Sequence, residues 1–349
     1  MKPSGYFRRI LATAAIVLLM IGAALFFLRT VDVFFLVFAG VLGAVFLRAP
    51  TTWLSARLKI NQKLTLLITL VSVLAAVTMI FLIFGPKVVN EGQTLISIMP
   101  RSPSELRAFV EHYDFDGSVL NNIPGVYEDI FRTGERLFRN PKFLFAPIQV
   151  FGYLLFIAFI TLYFAIDPEL YQKGLIHLLP LDKRSQGELL LRRLASSIRW
   201  FLLGRFASML AVGTLTTILL LAFDIPLAVA LGIITGTLTF VPYLGPIVST
   251  VPVVLVAVVQ SPDNVFLILL LYVGIQLLEG YVLTPVFQKM TVYVPPAMTL
   301  IAEILLGIVF GTLGIVMAAP SAAVFLVLYH SVYRESLLGE ERVFVGHKK

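Results

Sequence analysis

Cysteine is absent from this chain of 349 residues, and charged residues are scarce. Without a thiol, neither a disulfide framework nor a thiolate metal site can form. Asp, Glu, Lys and Arg together supply 13% of the residues, whereas an ordinary soluble domain has about 25%. Hydrophobic residues supply 58%, and the mean hydropathy is +0.93. This composition excludes an ordinary soluble domain and predicts an all-α, polytopic transmembrane protein.

Histidine is also sparse, and the motifs of several familiar enzymes are missing. The four histidines, His112, His177, His330 and His347, lie far apart in the sequence and form no metal-binding pair. The nucleotide-binding pattern GxxxxGKS/T, the zinc-protease pattern HExxH and the hydrolase pattern GxSxG do not occur. We therefore predict no metal, no cofactor and no enzymatic activity, and transport driven by ATP on this chain alone has no support.

The net charge of +7 comes from Lys and Arg at the ends of apolar segments rather than on one continuous basic face. This placement is typical of residues that orient membrane spans and contact anionic headgroups. The expected partner of these cations is the lipid bilayer, and no nucleic acid is expected.

Five long apolar stretches come first along the chain. They lie at about 10–28, 31–47, 64–84, 147–166 and 199–223. Lys and Arg precede the first stretch and follow the second and the fourth, and basic residues in short loops mark the cytoplasmic side. The first stretch exceeds a signal-peptide core and is interpreted as an uncleaved span. We expect a multi-pass protein of the cell inner membrane with both termini in the cytoplasm.

Two further apolar runs, Ile225–Pro262 and Ile304–Tyr333, are each interrupted by Gly and Pro. A bilayer core takes about 20 helical residues to cross, so the shorter pieces beside each break predict two helical hairpins and about eight membrane helices in all. If each run enters and returns, the basic flanks all stay on the cytoplasmic side. The hairpins are then entered from opposite faces, and paired interrupted segments of this kind indicate a substrate pathway in secondary transporters.

The segment between the third and fourth stretches has nearly balanced charge and periodic apolar positions, most clearly in Pro124–Arg139. It predicts a small helical extramembrane subdomain, either a cap, an oligomer contact or an amphipathic surface on the bilayer. The chain thus divides into N-terminal transmembrane helices (1–86), the extramembrane helical subdomain (87–146), a transmembrane helix with a cytoplasmic loop (147–198), a C-terminal transport core with both hairpins (199–334) and a cytoplasmic tail (335–349).

Two acidic residues, Glu279 and Glu303, lie within the predicted spans. Intramembrane acids are functional candidates, so Glu279 is expected to exchange a proton or hold a monovalent cation during transport. Gln276 lies on the same helical face and is expected to contact a polar solute. A structural alternative for both acids is snorkelling to the interface or pairing with Lys289.

The breaks supply the other candidate pathway residues. Pro and Gly leave backbone groups unpaired, which membrane depth tolerates only inside protein or beside a wet cavity. These candidates are Pro242, Tyr243, Gly245 and Pro246 in the first run and Gly311 and Gly314 in the second. A plain tight turn at the membrane surface is the alternative. Pro285 and Pro320 are interpreted as structural breaks, and Gly232 and Gly236, spaced as GxxxG, as a helix-packing contact.

Four motifs in this region resemble one known family. They are Phe240-Val241-Pro242-Tyr243-Leu244-Gly245-Pro246, Gln276-Leu277-Leu278-Glu279-Gly280, Leu283-Thr284-Pro285 and Phe310-Gly311-Thr312-Leu313-Gly314-Ile315-Val316-Met317-Ala318-Ala319-Pro320. Together they resemble the autoinducer-2 exporter (AI-2E) family of bacterial and archaeal membrane proteins. The resemblance implies about eight helices, transport without ATP, homo-oligomers, and an acidic family position at Glu279. Tyr281 departs from the family pattern, in which a polar Asn is expected.

Members of that family have been linked to export of the quorum-sensing signal autoinducer-2 and, in others, to sodium/proton exchange. We therefore expect a secondary transporter of a small polar solute such as autoinducer-2, coupled to protons through Glu279. The alternative within the class is a sodium/proton antiporter. The alternative of another class is a membrane scaffold or envelope-assembly protein that acts through residues 87–142 and transports nothing.

Overall fold

Every regular element of the described chain is a helix or a short helical turn, which confirms the predicted all-α fold. The computed structural model describes residues 5–98, 141–225, 227–288 and 294–337. Its α-helices are α1 (Gly5–Leu58), α2 (Gln62–Ile98), α3 (Pro141–Ile166), α4 (Pro168–His177), α5 (Arg184–Ala222), α6 (Ala228–Leu238), α7 (Leu244–Gln260), α8 (Val265–Leu278), α9 (Thr284–Gln288) and α10 (Pro296–Leu328). Short 3₁₀ turns lie at Leu181–Lys183 and Pro262–Asn264, and π-helical turns at Glu279–Leu283 and Tyr329–Leu337.

Several of these helices are long and apolar enough to cross a bilayer. By length and composition alone, five segments of the described residues pass this test, although Gly311 interrupts the last of them. They are Asp32–Leu58, Gln62–Met79, Leu181–Ala222, Val265–Val286 and Pro296–Tyr333. A sixth span arises if α3 and α4, which meet at an angle of 82°, are taken together. Helices α6 and α7 are apolar but shorter. The chain is a multi-pass membrane protein.

The first two predicted spans form one helix rather than two. Helix α1 runs for 54 residues without a turn between the two apolar stretches, a length of about 80 Å at 1.5 Å per residue. The polar residues between the two stretches include Arg29 and Thr30, but no Gly or Pro lies among them and a helix accommodates them. Lys2, Arg8 and Arg9 predict a cytoplasmic N-terminus, and the orientation of this end stays a prediction.

The helices that flank the predicted extramembrane subdomain extend into it. Helix α2 continues to Ile98, beyond the expected end of its span, and α3 begins at Pro141. The centre of the predicted subdomain, including Pro124–Arg139, lies outside the described residues.

The first interrupted run forms a hairpin of α6 and α7. The reversal lies at 239–243, and it brings Gly245 so close to Leu238 that a Cβ on Gly245 would overlap the Leu238 carbonyl group. Helix α6 also packs tightly on α5, since a Cβ on Gly236 would lie 2.7 Å from the carbonyl oxygen of Met209. Buried residues of α5 to α8, among them Leu220 and Tyr272, form the core beneath this hairpin.

The second interrupted run also reverses, at Gly311 within α10. Gly311 has φ 63° and ψ −146°, a conformation that a residue with a side chain rarely adopts. A Cβ on Gly307 would lie 2.8 Å from Cγ1 of Ile315, and a Cβ on Gly314 would overlap the Leu306 carbonyl. Eight residues of straight helix span about 12 Å, so these contacts require two antiparallel arms. Both predicted hairpins are therefore present.

Candidate functional site

A buried ion pair joins α5 to the end of α8. Nη1 of Arg205 donates a hydrogen bond to Oε1 of Glu279 at 3.2 Å, and the two side chains are only 12% and 10% exposed. The guanidinium carbon of Arg205 also lies 6.0 Å from the centre of the Phe201 ring. Because each charge neutralises the other, neither stands alone inside the protein.

Glu279 begins a π-helical turn that sets its position. The backbone N–H of Thr284 donates to the carbonyl oxygen of Glu279, five residues earlier, and the Thr284 hydroxyl donates to Oε1 of Glu279 at 2.8 Å. Pro285 follows at once. In a regular helix its ring would clash with the carbonyl of Tyr281, and the wider turn avoids that clash. Turns of this kind are frequent at functional sites.

The tip of the first hairpin carries a strained backbone at Tyr243. This residue has φ 58° and ψ −55°, and the N–H of Leu244 donates to the carbonyl oxygen of Pro242 at 2.6 Å. The three residues form a γ-turn with positive φ, which is rare and strained. Strain of this kind is maintained by the surrounding structure and is concentrated at functional sites.

The ion pair and the hairpin tip line one cavity of about 540 Å³. Its walls come from α5, the first hairpin, the end of α8 with its π-helical turn, and both arms of α10. The polar residues of the lining are Arg205, Ser208, Tyr243, Gln276, Glu279, Tyr281, Thr284 and Thr299. A cavity of this volume suits a small molecule, and its mixture of apolar walls and a few polar groups is typical of a ligand site.

Gln276 presents a free amide to this cavity. Its side-chain oxygen and nitrogen are buried, and neither has a hydrogen-bond partner among the described residues. A buried amide without a partner is unfavourable unless a ligand supplies one. Gln276 therefore offers a carbonyl acceptor and two N–H donors to a polar solute.

The structure brings some of the predicted site residues together and leaves others apart. Gln276, Glu279, Pro242, Tyr243 and Pro246 all line the cavity. Gly245 lies behind the lining, where it allows α6 and α7 to approach each other.

The predicted residues of the second hairpin lie elsewhere. Gly311 is exposed at the reversal and Gly314 is buried against Leu306, and neither lines the cavity. Pro320 is buried within the second arm of α10, where the helix continues through it. Glu303 is buried one turn after Thr299.

Sequence reasoning missed Arg205, the ion-pair partner of Glu279. It named Lys289 as a structural partner, and Lys289 lies outside the described residues. A signal was present, because Arg205 is a basic residue within the apolar stretch 199–223. A charge inside a span needs an opposite charge nearby, and Glu279 is an acid within another span.

The helices and the cavity define the class of this molecule as a polytopic membrane protein with a polar site beside a broken hairpin, as in many carriers of small solutes. Residues 14–334 match the family described as "AI-2E family transporter". Because this match covers most of the chain, the protein belongs to the AI-2E transporter family.

Curated relatives have similar descriptions. "Putative transport protein YrrI" of Bacillus subtilis is 28% identical over 172 residues, and the match covers 49% of each chain. A "Putative transport protein" of Thermotoga maritima is 25% identical over 73% of this chain and 76% of its own. "Putative transport protein sll0060" of Synechocystis is 25% identical over 81% and 83%. The chain thus spans about half the length of the first of these relatives and most of the other two.

Proposed function

We propose that this protein is a secondary transporter that exports a small polar solute, such as autoinducer-2, in exchange for protons. The observation that carries the proposal is the Arg205–Glu279 ion pair, buried and facing a cavity beside the tip of a broken hairpin. Membership of the AI-2E transporter family supports the transporter role.

The ion pair can recognise a polar solute by exchanging partners. Arg205 presents several N–H donors and Glu279 presents acceptor oxygens, so a solute with hydroxyl groups can bind both. Gln276 adds a further donor and acceptor on the same wall. Removing one partner from a buried ion pair costs about 3–5 kcal/mol. The pair therefore separates only when the solute replaces its hydrogen bonds, which links binding to a change in the cavity.

Exchange of sodium for protons is less well supported by the same geometry. Oε1 of Glu279 already accepts hydrogen bonds from Arg205 at 3.2 Å and from Thr284 at 2.8 Å. A guanidinium beside this oxygen repels a metal cation. We therefore favour a solute as the transported species and use sodium as a control.

The test is transport by the purified protein in proteoliposomes that contain a pH-sensitive dye. Vesicles loaded with autoinducer-2 should lose it faster than protein-free vesicles, and the interior should acidify as protons enter. Arg205→Gln and Glu279→Gln should each slow the efflux strongly. Glu169→Gln, which alters an exposed acid of α4, is the matched control and should transport normally.

Two outcomes would count against the proposal. Efflux equal to that of protein-free vesicles would show that the protein does not transport autoinducer-2. Full activity in Arg205→Gln would show that the ion pair does not take part in transport. Proton movement driven by sodium without a solute would favour the antiporter instead.

A further inference from the structure

Glu303 is a second membrane acid beside the cavity, and its environment differs from that of Glu279. The residue is 0% exposed. Neither of its carboxyl oxygens has a hydrogen-bond partner among the described residues. An ionised carboxylate without a partner is very unfavourable in such surroundings, whereas the neutral acid is tolerated. Burial without a partner among the described residues distinguishes Glu303 from Glu279, which is paired with Arg205.

Glu303 lies close enough to the cavity to take part in its electrostatics. It follows Thr299 by four residues on the same arm of α10, so the two share one helical face, and Thr299 lines the cavity. Arg205 lies on α5, which packs against α10, and it lines the same cavity as Thr299. The other titratable residues of the lining are Tyr243 of the first hairpin and Glu279 and Tyr281 of the π-helical turn.

We propose that Glu303 is the proton-binding carboxyl of the transport cycle. Its charge changes how strongly Arg205 binds Glu279. This inference rests on the proposed function, because a coupled proton needs a transported solute. It assigns the proton to Glu303 rather than to Glu279, which already has Arg205 as a partner.

The geometry gives the coupling a simple sequence. When Glu303 releases its proton towards the cavity, which Thr299 lines one turn earlier, a second carboxylate forms on the helix that packs against α5 and Arg205. Arg205 is then attracted by both acids, and its hydrogen bond to Glu279 weakens. Glu279 and Arg205 become available to the solute. When a proton returns to Glu303, Arg205 is attracted by Glu279 alone and the ion pair closes. One proton is released and one is taken up in each cycle.

Labelling with dicyclohexylcarbodiimide tests the proton site without any solute. The reagent reacts with a protonated carboxyl, whose O–H adds across one C=N bond to give an O-acylisourea that rearranges to a stable N-acylurea. The full-length protein is treated in detergent over a range of pH, and its peptides are weighed. Glu303 should gain the mass of one reagent, with a yield that falls as pH rises. Glu279 should stay unmodified, and Glu303→Gln should lose the label.

Proteoliposomes with trapped pH dye then test the coupling. Glu303→Gln, which mimics the protonated acid and keeps the Arg205–Glu279 pair closed, should lose both the net efflux of autoinducer-2 and the proton movement that accompanies it. Glu303→Asp, which keeps a titratable carboxyl, should restore part of that movement. Elution of each variant as a single species in size-exclusion chromatography shows that it is folded.

The possible results separate the two proposals. An unmodified Glu303 at every pH, or proton movement in Glu303→Gln equal to that of the wild type, would overturn this inference and leave solute transport standing. Labelling that depends on pH, with no solute moved by the wild type, would support the proton site and overturn the proposed function.

Discussion

The two broken hairpins look alike in the sequence but relate differently to the cavity. The tip of the first hairpin places Tyr243 in the cavity lining, whereas the tip of the second, at Gly311, lies away from it. The second hairpin contributes through its arms, with Thr299 on one and Ala319 on the other. A Gly or Pro break therefore identifies a reversal of the chain, but it does not identify a binding element. Three predictions test this contrast.

The largest loss of stability is expected when the positive charge beside the first hairpin, on Arg205, is removed. Arg205→Gln leaves Glu279 buried without its cation, and we expect a loss of about 3–5 kcal/mol in unfolding free energy. Denaturant unfolding in mixed micelles measures it. The double variant Arg205→Gln with Glu279→Gln should recover most of that stability, because no unpaired charge is left. A single variant as stable as the wild type would show that the ion pair is absent in the membrane.

A matched pair of glycine substitutions compares the two tips directly. Gly311→Ala forces a side chain into a conformation that only glycine adopts readily, and we expect a loss of about 1–3 kcal/mol. Gly245→Ala places a Cβ against the Leu238 carbonyl, and we expect a loss in the same range of about 1–3 kcal/mol. Only Gly245→Ala should slow autoinducer-2 efflux per folded molecule, because it displaces the turn that lines the cavity.

Equal transport by both glycine variants would show that the two hairpin tips do not differ in their contribution to transport. Slower efflux in Gly311→Ala alone would instead give the second tip the role in the pathway that its sequence suggested.

The smallest effect concerns the hydroxyl that supports Glu279. Thr284→Val keeps the shape of the side chain and removes the hydrogen bond to Oε1 of Glu279, for an expected loss of about 1 kcal/mol. Thermal unfolding of the purified protein measures it. Thr250→Val is the control, since its hydroxyl donates only to the backbone carbonyl of Pro246 within α7. A loss as large as that in Arg205→Gln would mean that Thr284, rather than Arg205, holds the carboxylate in place.

Sequence patterns predicted the fold well where the controlling interaction is local. The reversals at Tyr243 and Gly311 follow from Pro and Gly, whose effects on the backbone act within a few residues. The prediction of two separate spans at 10–28 and 31–47 was wrong, because the polar residues between these stretches do not end the helix. Five of the predicted site residues share one cavity, and they do so because the hairpin and the end of α8 meet in space.

The sequence by itself determined that this is a helical membrane protein of the AI-2E family with two reversals in its C-terminal half. The apolar composition places the helices in a lipid bilayer, and Gly and Pro interrupt the apolar runs. Only the tertiary structure decided which charges meet. Arg205 and Glu279 are 74 residues apart, and their contact depends on how α5 packs against the π-helical turn. It also decided that Glu279 is paired while Glu303 has no partner among the described residues, because burial and partners belong to the packed molecule rather than to either residue alone.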